Sequence, residues 1–92
     1  MVDKRKLGDL AGIGKAMLKD FERLDVKSVE QLAGCDGLEL YQRIGAMDGQ
    51  LHDPCVLDTY RCAIAQARDP GLPAEQRKWW WWSRQRLAEK SK

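Results

Sequence analysis

Apolar positions in this chain recur at helical spacing from one end to the other. Met17, Leu18, Phe21 and Leu24 are separated by steps of one, three and four residues, which predicts an amphipathic helix over about Gly14 to Leu24. Ser28 stands three residues before Gln31, a capping-box spacing ahead of Val29 and Leu32, and Gly34 ends that short element. Asp36 is placed to cap the next helix, which carries Leu40, Tyr41, Ile44 and Met47 and stops at Gly49. Asp53-Pro54 opens a longer one, with the carboxylate as cap and proline where its missing N–H costs little. That helix should reach about Arg68 and close at Asp69-Pro70-Gly71. No window alternates with period two over a strand's length. The expected fold is all-α, a compact bundle of about five short helices, with Tyr41, Tyr60 and these aliphatic residues in its core.

The segment after Gly71 has helical propensity and no clear amphipathic period. It contains KWWWWSRQR, four adjacent tryptophans between basic residues. Successive side chains on a helix spread around its axis, so four adjacent indoles cannot all reach one small core. The 92 residues are read as a domain over 1–71 and a Trp-rich basic segment over 72–92 that packs partly on it.

Charge changes this picture. Net charge is +2, but residues 1–27 hold seven Lys or Arg against five acids, 28–69 three against seven, and 70–92 six against two. Basic ends around an acidic middle point to an anionic partner for the ends. No apolar run approaches the roughly 20 residues that cross a bilayer, and the N-terminus lacks a signal peptide's apolar stretch. The cytoplasm is therefore the expected compartment, no membrane partner is expected, and Cys35, Cys55 and Cys62 are expected as free thiols.

The stretch LGDLAGIGKAMLKDFERL carries the clearest chemistry. Leu7 and Leu10 fit one helical face, and Gly12-Ile13-Gly14 then turns the chain into a new helix. Two residues without Cβ let the backbone turn sharply and come close to a ligand. The first amides of the second helix have no intrahelical partner and carry the positive end of its dipole, so they suit phosphate. Lys15 and Lys19 add charge one turn apart. The pattern resembles the helix-hairpin-helix motif of SAM-like folds, whose Gly-aliphatic-Gly loop holds a backbone phosphate without reading sequence. Leu18 departs from it, since that position usually holds a small residue. A second, degenerate hairpin is expected at Gln31–Leu38, where Asp36 would repel an anion.

LAGIGKAMLKDF, VKSVEQLAG, LELYQR, HDPCVLDTYRCAIAQA and the closing tryptophans together resemble small bacterial proteins of the pathogenicity-locus or mitomycin-resistance type, from about Leu7 to Trp82. The resemblance implies a helix-hairpin-helix fold and a role in DNA transactions, and no established reaction.

Two other constellations carry candidate chemistry. His52 and Cys55 are close enough to share a metal, but Cys62 lies about 10.5 Å further along a helix and cannot join them on one zinc. A structural role is the better reading, and neither metal nor cofactor is expected. Cys55 and Cys62 share a strip of the helix away from its main apolar face, and part of the Trp run is expected to cover that strip. With one histidine, scattered carboxylates and no Walker or dinucleotide loop, the chain does not read as an enzyme.

The sequence leaves two functions open. One is a sequence-independent DNA-binding module, serving repair or recombination, that uses Gly12, Ile13, Gly14, Lys15 and Lys19. The other is a protein-interaction module or homodimer with a purely structural hairpin. It would use Trp79, Trp80, Trp81, Trp82, Arg77, Lys78 and Arg84, residues that equally suit base stacking.

Overall fold

The computed structural model describes residues 5–90, and every regular element among them is helical. A 3-10 turn at Leu7–Asp9 precedes α1 (Lys15–Arg23), α2 (Val29–Ala33), α3 (Gly37–Asp48) and α4 (Pro54–Arg68). A second 3-10 turn, Ala74–Arg77, leads into α5 (Trp79–Lys90). The Cα radius of gyration is 12.8 Å, close to the roughly 12 Å of a globule this long, so α5 is packed on the bundle rather than trailing from it.

Local chemistry sets most of the boundaries. Ser28 Oγ accepts from the Gln31 N–H at 3.0 Å, while the Gln31 side chain reaches back to the Lys27 N–H, one residue before the cap the sequence pattern implied. Asp53 caps α4 by accepting from the Cys55 N–H at 2.9 Å, with Pro54 in the first turn. Asp36 occupies the cap position of α3, but its side chain makes no capping bond, contrary to expectation. Both α1 and α3 end in Schellman motifs: Val26 N–H bonds Phe21 O at 2.8 Å, and Gln50 N–H bonds Gly45 O at 3.1 Å. The left-handed position is Gly49 (φ 67°) in the second and Asp25 (φ 61°) in the first. Gln31 Nε2 donates to the Asp25 carbonyl and helps hold that strained turn.

α4 is the centre of the bundle and packs against α2, α3 and α5. Its Leu57, Tyr60, Ala63, Ile64 and Ala67 meet Phe21, Leu24, Val29, Leu32, Leu40 and Ile44. Tyr60 and Phe21 are fully buried with ring centroids 5.8 Å apart. Burial, and then the nearby Asp20 carboxylate, push the Tyr60 hydroxyl well above its ordinary range. That hydroxyl donates to Asp20 Oδ2 at 3.3 Å, so it is satisfied as well as buried. Arg68 fastens the α2–α3 turn by donating to the Ala33 and Cys35 carbonyls at 2.8 and 3.0 Å, consistent with a structural second hairpin.

Two further expectations need correction. The first helix is a single 3-10 turn, since only the Leu10 N–H to Leu7 O and Asp9 N–H to Lys6 O bonds form before the chain turns at Gly12. Met47 is half exposed, because the chain reversing at Gly49 lays Gln50 and Leu51 over Gly45 instead. The tail, for which helical propensity was expected, forms α5 and packs on α4 through contacts that its own periodicity does not show.

The last turn of α3 carries a charged cluster. Asp48 pairs with Arg23 of α1, and its Oδ2 lies 2.6 Å from His52 Nε2 as a hydrogen-bond acceptor. The hydrogen bond from Arg23, then that from His52, holds the Asp48 carboxyl below its usual value of 3.8. A depressed carboxylate pKa contributes stability above the unfolded value, and that stability is lost as pH falls through the folded one. Urea midpoints should therefore decline below about pH 4, and Asp48→Asn should flatten that part of the profile. An unchanged acid limb in the variant would show that the cluster contributes nothing.

Candidate nucleic-acid interface

The Gly-Ile-Gly turn is held from below and open above. Ile13 is half-buried against the core, which turns the two glycines outward. Gly12 adopts φ 81°, a conformation costly to residues with Cβ, and nothing lies within 4 Å of where a Cβ would sit on Gly12 or Gly14. Gly14 is the extended N-cap of α1 and has no side chain with which to cap it. The first α1 bond is Leu18 N–H to Gly14 O at 3.0 Å. Among the described residues, the amides of Gly12, Gly14, Lys15, Ala16 and Met17 thus have no acceptor. No side chain caps the corner and α5 does not cover it, since Gly12, Gly14, Lys15 and Ala16 are all exposed.

Charge around the corner is favourable to an anion. Lys15 and Lys19 are exposed and lie one turn apart, with no described carboxylate paired to either. Asp9 is occupied, accepting from the Lys6 N–H at 2.8 Å, and Asp20 turns toward Tyr60 and Arg23. Leu18 is 38% exposed and reaches Gly8, so this larger residue leaves a shallow groove beside Leu7 rather than a tightly closed pair.

A residue that the periodicity did not single out fixes the turn. Gln66 on α4 is 4% exposed and grips Ala11 at two points. Its Oε1 accepts from the Ala11 N–H at 2.8 Å, and its Nε2 donates to the Ala11 carbonyl at 3.0 Å. Arg5 adds to this junction by donating to the Gln66 and Ala67 carbonyls at the end of α4. Gln66 occupies an inward position among Ala63, Ile64 and Ala67, and a polar residue on an apolar face was the available signal.

The four tryptophans divide as their helical geometry requires. Trp81 and Trp82 are half-buried, with rings 5.1 Å apart and nearly perpendicular. Trp82 Nε1 donates to the Gln76 carbonyl at 2.8 Å, which the buried Cys62 thiol also approaches at 3.6 Å. The strip through Cys62 is therefore covered as expected. At its centre lies Asp58, which is fully buried and held by Arg86 of α5 through contacts of 3.0 and 3.2 Å. Arg86 is thus committed inside the fold and unavailable for ligand. Trp79 and Trp80 stay 38% and 44% exposed, with Lys78 Nζ 5.5 Å from the Trp80 ring centre.

This architecture covers nearly the whole chain, and so does a family match: the family described as "Pathogenicity locus" (Cdd1) aligns with residues 3–88. The chain belongs to the pathogenicity locus family. A mitomycin resistance protein of Streptomyces lavendulae, McrB, is 42% identical to this family member over 72 residues, spanning 78% of this chain and 67% of the relative. No solved structure matches the chain.

The remaining candidates in this pathogenicity-locus protein are separated. His52 faces Asp48, whereas the Cys55 thiol interacts with Asp53, and no group of three His, Cys, Asp or Glu suited to a metal occurs among the described residues. The Asp53 carboxylate pushes the Cys55 thiol up, and burial does the same for Cys62 and Cys35. These surroundings favour the thiol over the nucleophilic thiolate. No helix among the described residues is long and apolar enough to cross a membrane.

Proposed function

We propose that this protein is a sequence-independent DNA-binding module of the helix-hairpin-helix kind, which takes a backbone phosphate at the Gly12–Gly14 turn. The observation that carries the reading is the row of amides at Gly12, Gly14, Lys15, Ala16 and Met17 that have no acceptor among the described residues, all but the last on exposed residues at the start of α1. Lys15 and Lys19 supply mobile charge beside it, and the Gln66 clamp presents the turn rigidly. Amides and lysines meet phosphate and carry no base-specific information, so binding is indifferent to sequence. The resemblance implies DNA transactions, and within that reading the process is repair or recombination.

Salt titration of binding to labelled DNA tests the reading. The log of affinity should fall linearly with the log of salt concentration, and Lys15→Glu with Lys19→Glu should abolish measurable binding. The milder Lys15→Gln with Lys19→Gln should lower the slope by about 2. Wild-type affinity in both variants would remove the proposal.

A second reading rests on Trp79, Trp80 and Leu87, which leave apolar surface on α5 in water. A protein partner or a second copy docking there would make the hairpin structural. Association that survives the lysine reversals, fails on deletion of residues 79–92 and never involves DNA would favour it.

A further inference from the structure

The hairpin and the exposed indoles lie at the same end of the molecule. Trp82 sits beside Cys62, and Arg86, one turn later, binds Asp58, one turn earlier on α4. α5 therefore runs antiparallel to α4, and its first residues lie level with the part of α4 that carries Gln66. Gln66 in turn grips Ala11, the residue before the Gly-Ile-Gly turn. Arg77, two residues before Trp79, lines one cavity together with Leu10, Ala11 and Gln66. Asp9 and Asp69 line the same cavity, beyond which exposed Arg77 and Lys78 lead to the indoles and exposed Arg84 follows Trp80 by one turn.

We infer that this end of the molecule takes DNA with unpaired bases, holding phosphate at the Gly12–Gly14 turn and stacking bases on Trp79 and Trp80. The inference rests on the DNA-binding reading and adds the form of the ligand. Trp79 and Trp80 meet edge to face at 5.9 Å and retain 38% and 44% of their surface in water. The surrounding cations match a polyanion. Within a duplex each base face is covered by its neighbours, so an indole on the protein surface stacks only on a base that is single-stranded or at an end. Both indoles are at the surface, and their loss leaves the Trp82, Asp58 and Gln66 contacts in place.

The test compares three probes on the intact chain: a labelled single strand, a relaxed circular duplex that has no ends, and a strand of the same length and charge as the first made of abasic sites. The single strand should bind about tenfold more tightly than the abasic strand. Trp79→Ala with Trp80→Ala should erase that difference, weakening single-strand binding about tenfold and leaving duplex binding unchanged. Thermal melting of the variant checks its fold, and the abasic comparison on the unaltered protein stands whatever the variant does. Equal affinity for the intact and abasic strands, or an unaffected double variant, overturns the inference while duplex binding preserves the phosphate site. Failure of all three probes to bind removes both.

Discussion

Arg86→Ala should destabilise the protein by about 3 kcal/mol, because it leaves the Asp58 carboxylate buried without its cation. Asp58 is fully buried, and the Arg86 side chain is 15% exposed, so the charge has no access to water while α5 stays docked. For a domain of this size the loss corresponds to a fall in melting temperature of roughly 12–24 °C. It is also a large fraction of the roughly 5–15 kcal/mol that holds a typical domain folded. The cheaper response is for α5 to detach and let water reach Asp58, and that would expose Trp82 and shift tryptophan emission to the red. Asp58→Asn should cost less, because Arg86 lies nearer the surface and its long stem can swing its charge into solvent. Leucine at both positions should recover most of the loss, since well-packed apolar replacements for a buried pair are often neutral. pH offers no substitute for mutation here. The hydrogen bond to Asp58 raises the Arg86 pKa further, so the guanidinium keeps its charge throughout the folding range and only mutation removes the cation. A melting temperature unchanged in Arg86→Ala would show that α5 is held by its indoles alone.

The contrast between α4 and α5 shows what the sequence made legible. α4 announces itself: Asp53-Pro54 starts it, apolar residues recur along it, and Asp69-Pro70 ends it, and the structure has it at Pro54–Arg68. α5 has no such stripe, because the residues that dock it are Trp82, which shares a hydrogen-bond acceptor with a cysteine, and Arg86, which looks like one more surface cation. Periodicity reports apolar faces, and a helix docked through a charge pair and an indole N–H is invisible to it. The same limit hid Asp58 and Gln66. Each is a polar residue on a helix that reads as amphipathic, and each is buried with its partner far away in sequence. The hairpin was legible in the opposite sense. Its glycines and lysines mark the turn and the start of α1, but the resemblance implied a preceding helix where one 3-10 turn suffices. Gly8 and Gly12 lie too close together for a longer helix to be stable between them.

Gln66→Met should separate the two halves of the proposed site. Methionine keeps most of the volume but neither of the bonds to Ala11, which lie at 2.8 and 3.0 Å. Ala11 is exposed, so water can take over its N–H and carbonyl, and the cost to stability should be only about 1 kcal/mol. The hairpin would lose the anchor that fixes Gly12 and Gly14 relative to α4, and amides that must converge on one phosphate oxygen are sensitive to such loosening. Affinity for DNA should fall about tenfold, the equivalent of one good hydrogen bond to a charged group. The salt dependence should not change, because the slope counts phosphates neutralised by Lys and Arg, and Lys15 and Lys19 remain. The lysine variants should behave in the reverse way, lowering the slope while the turn stays intact. An affinity in Gln66→Met equal to that of the parent would mean that the lysines alone attract the polyanion and that the open amides at the start of α1 hold nothing.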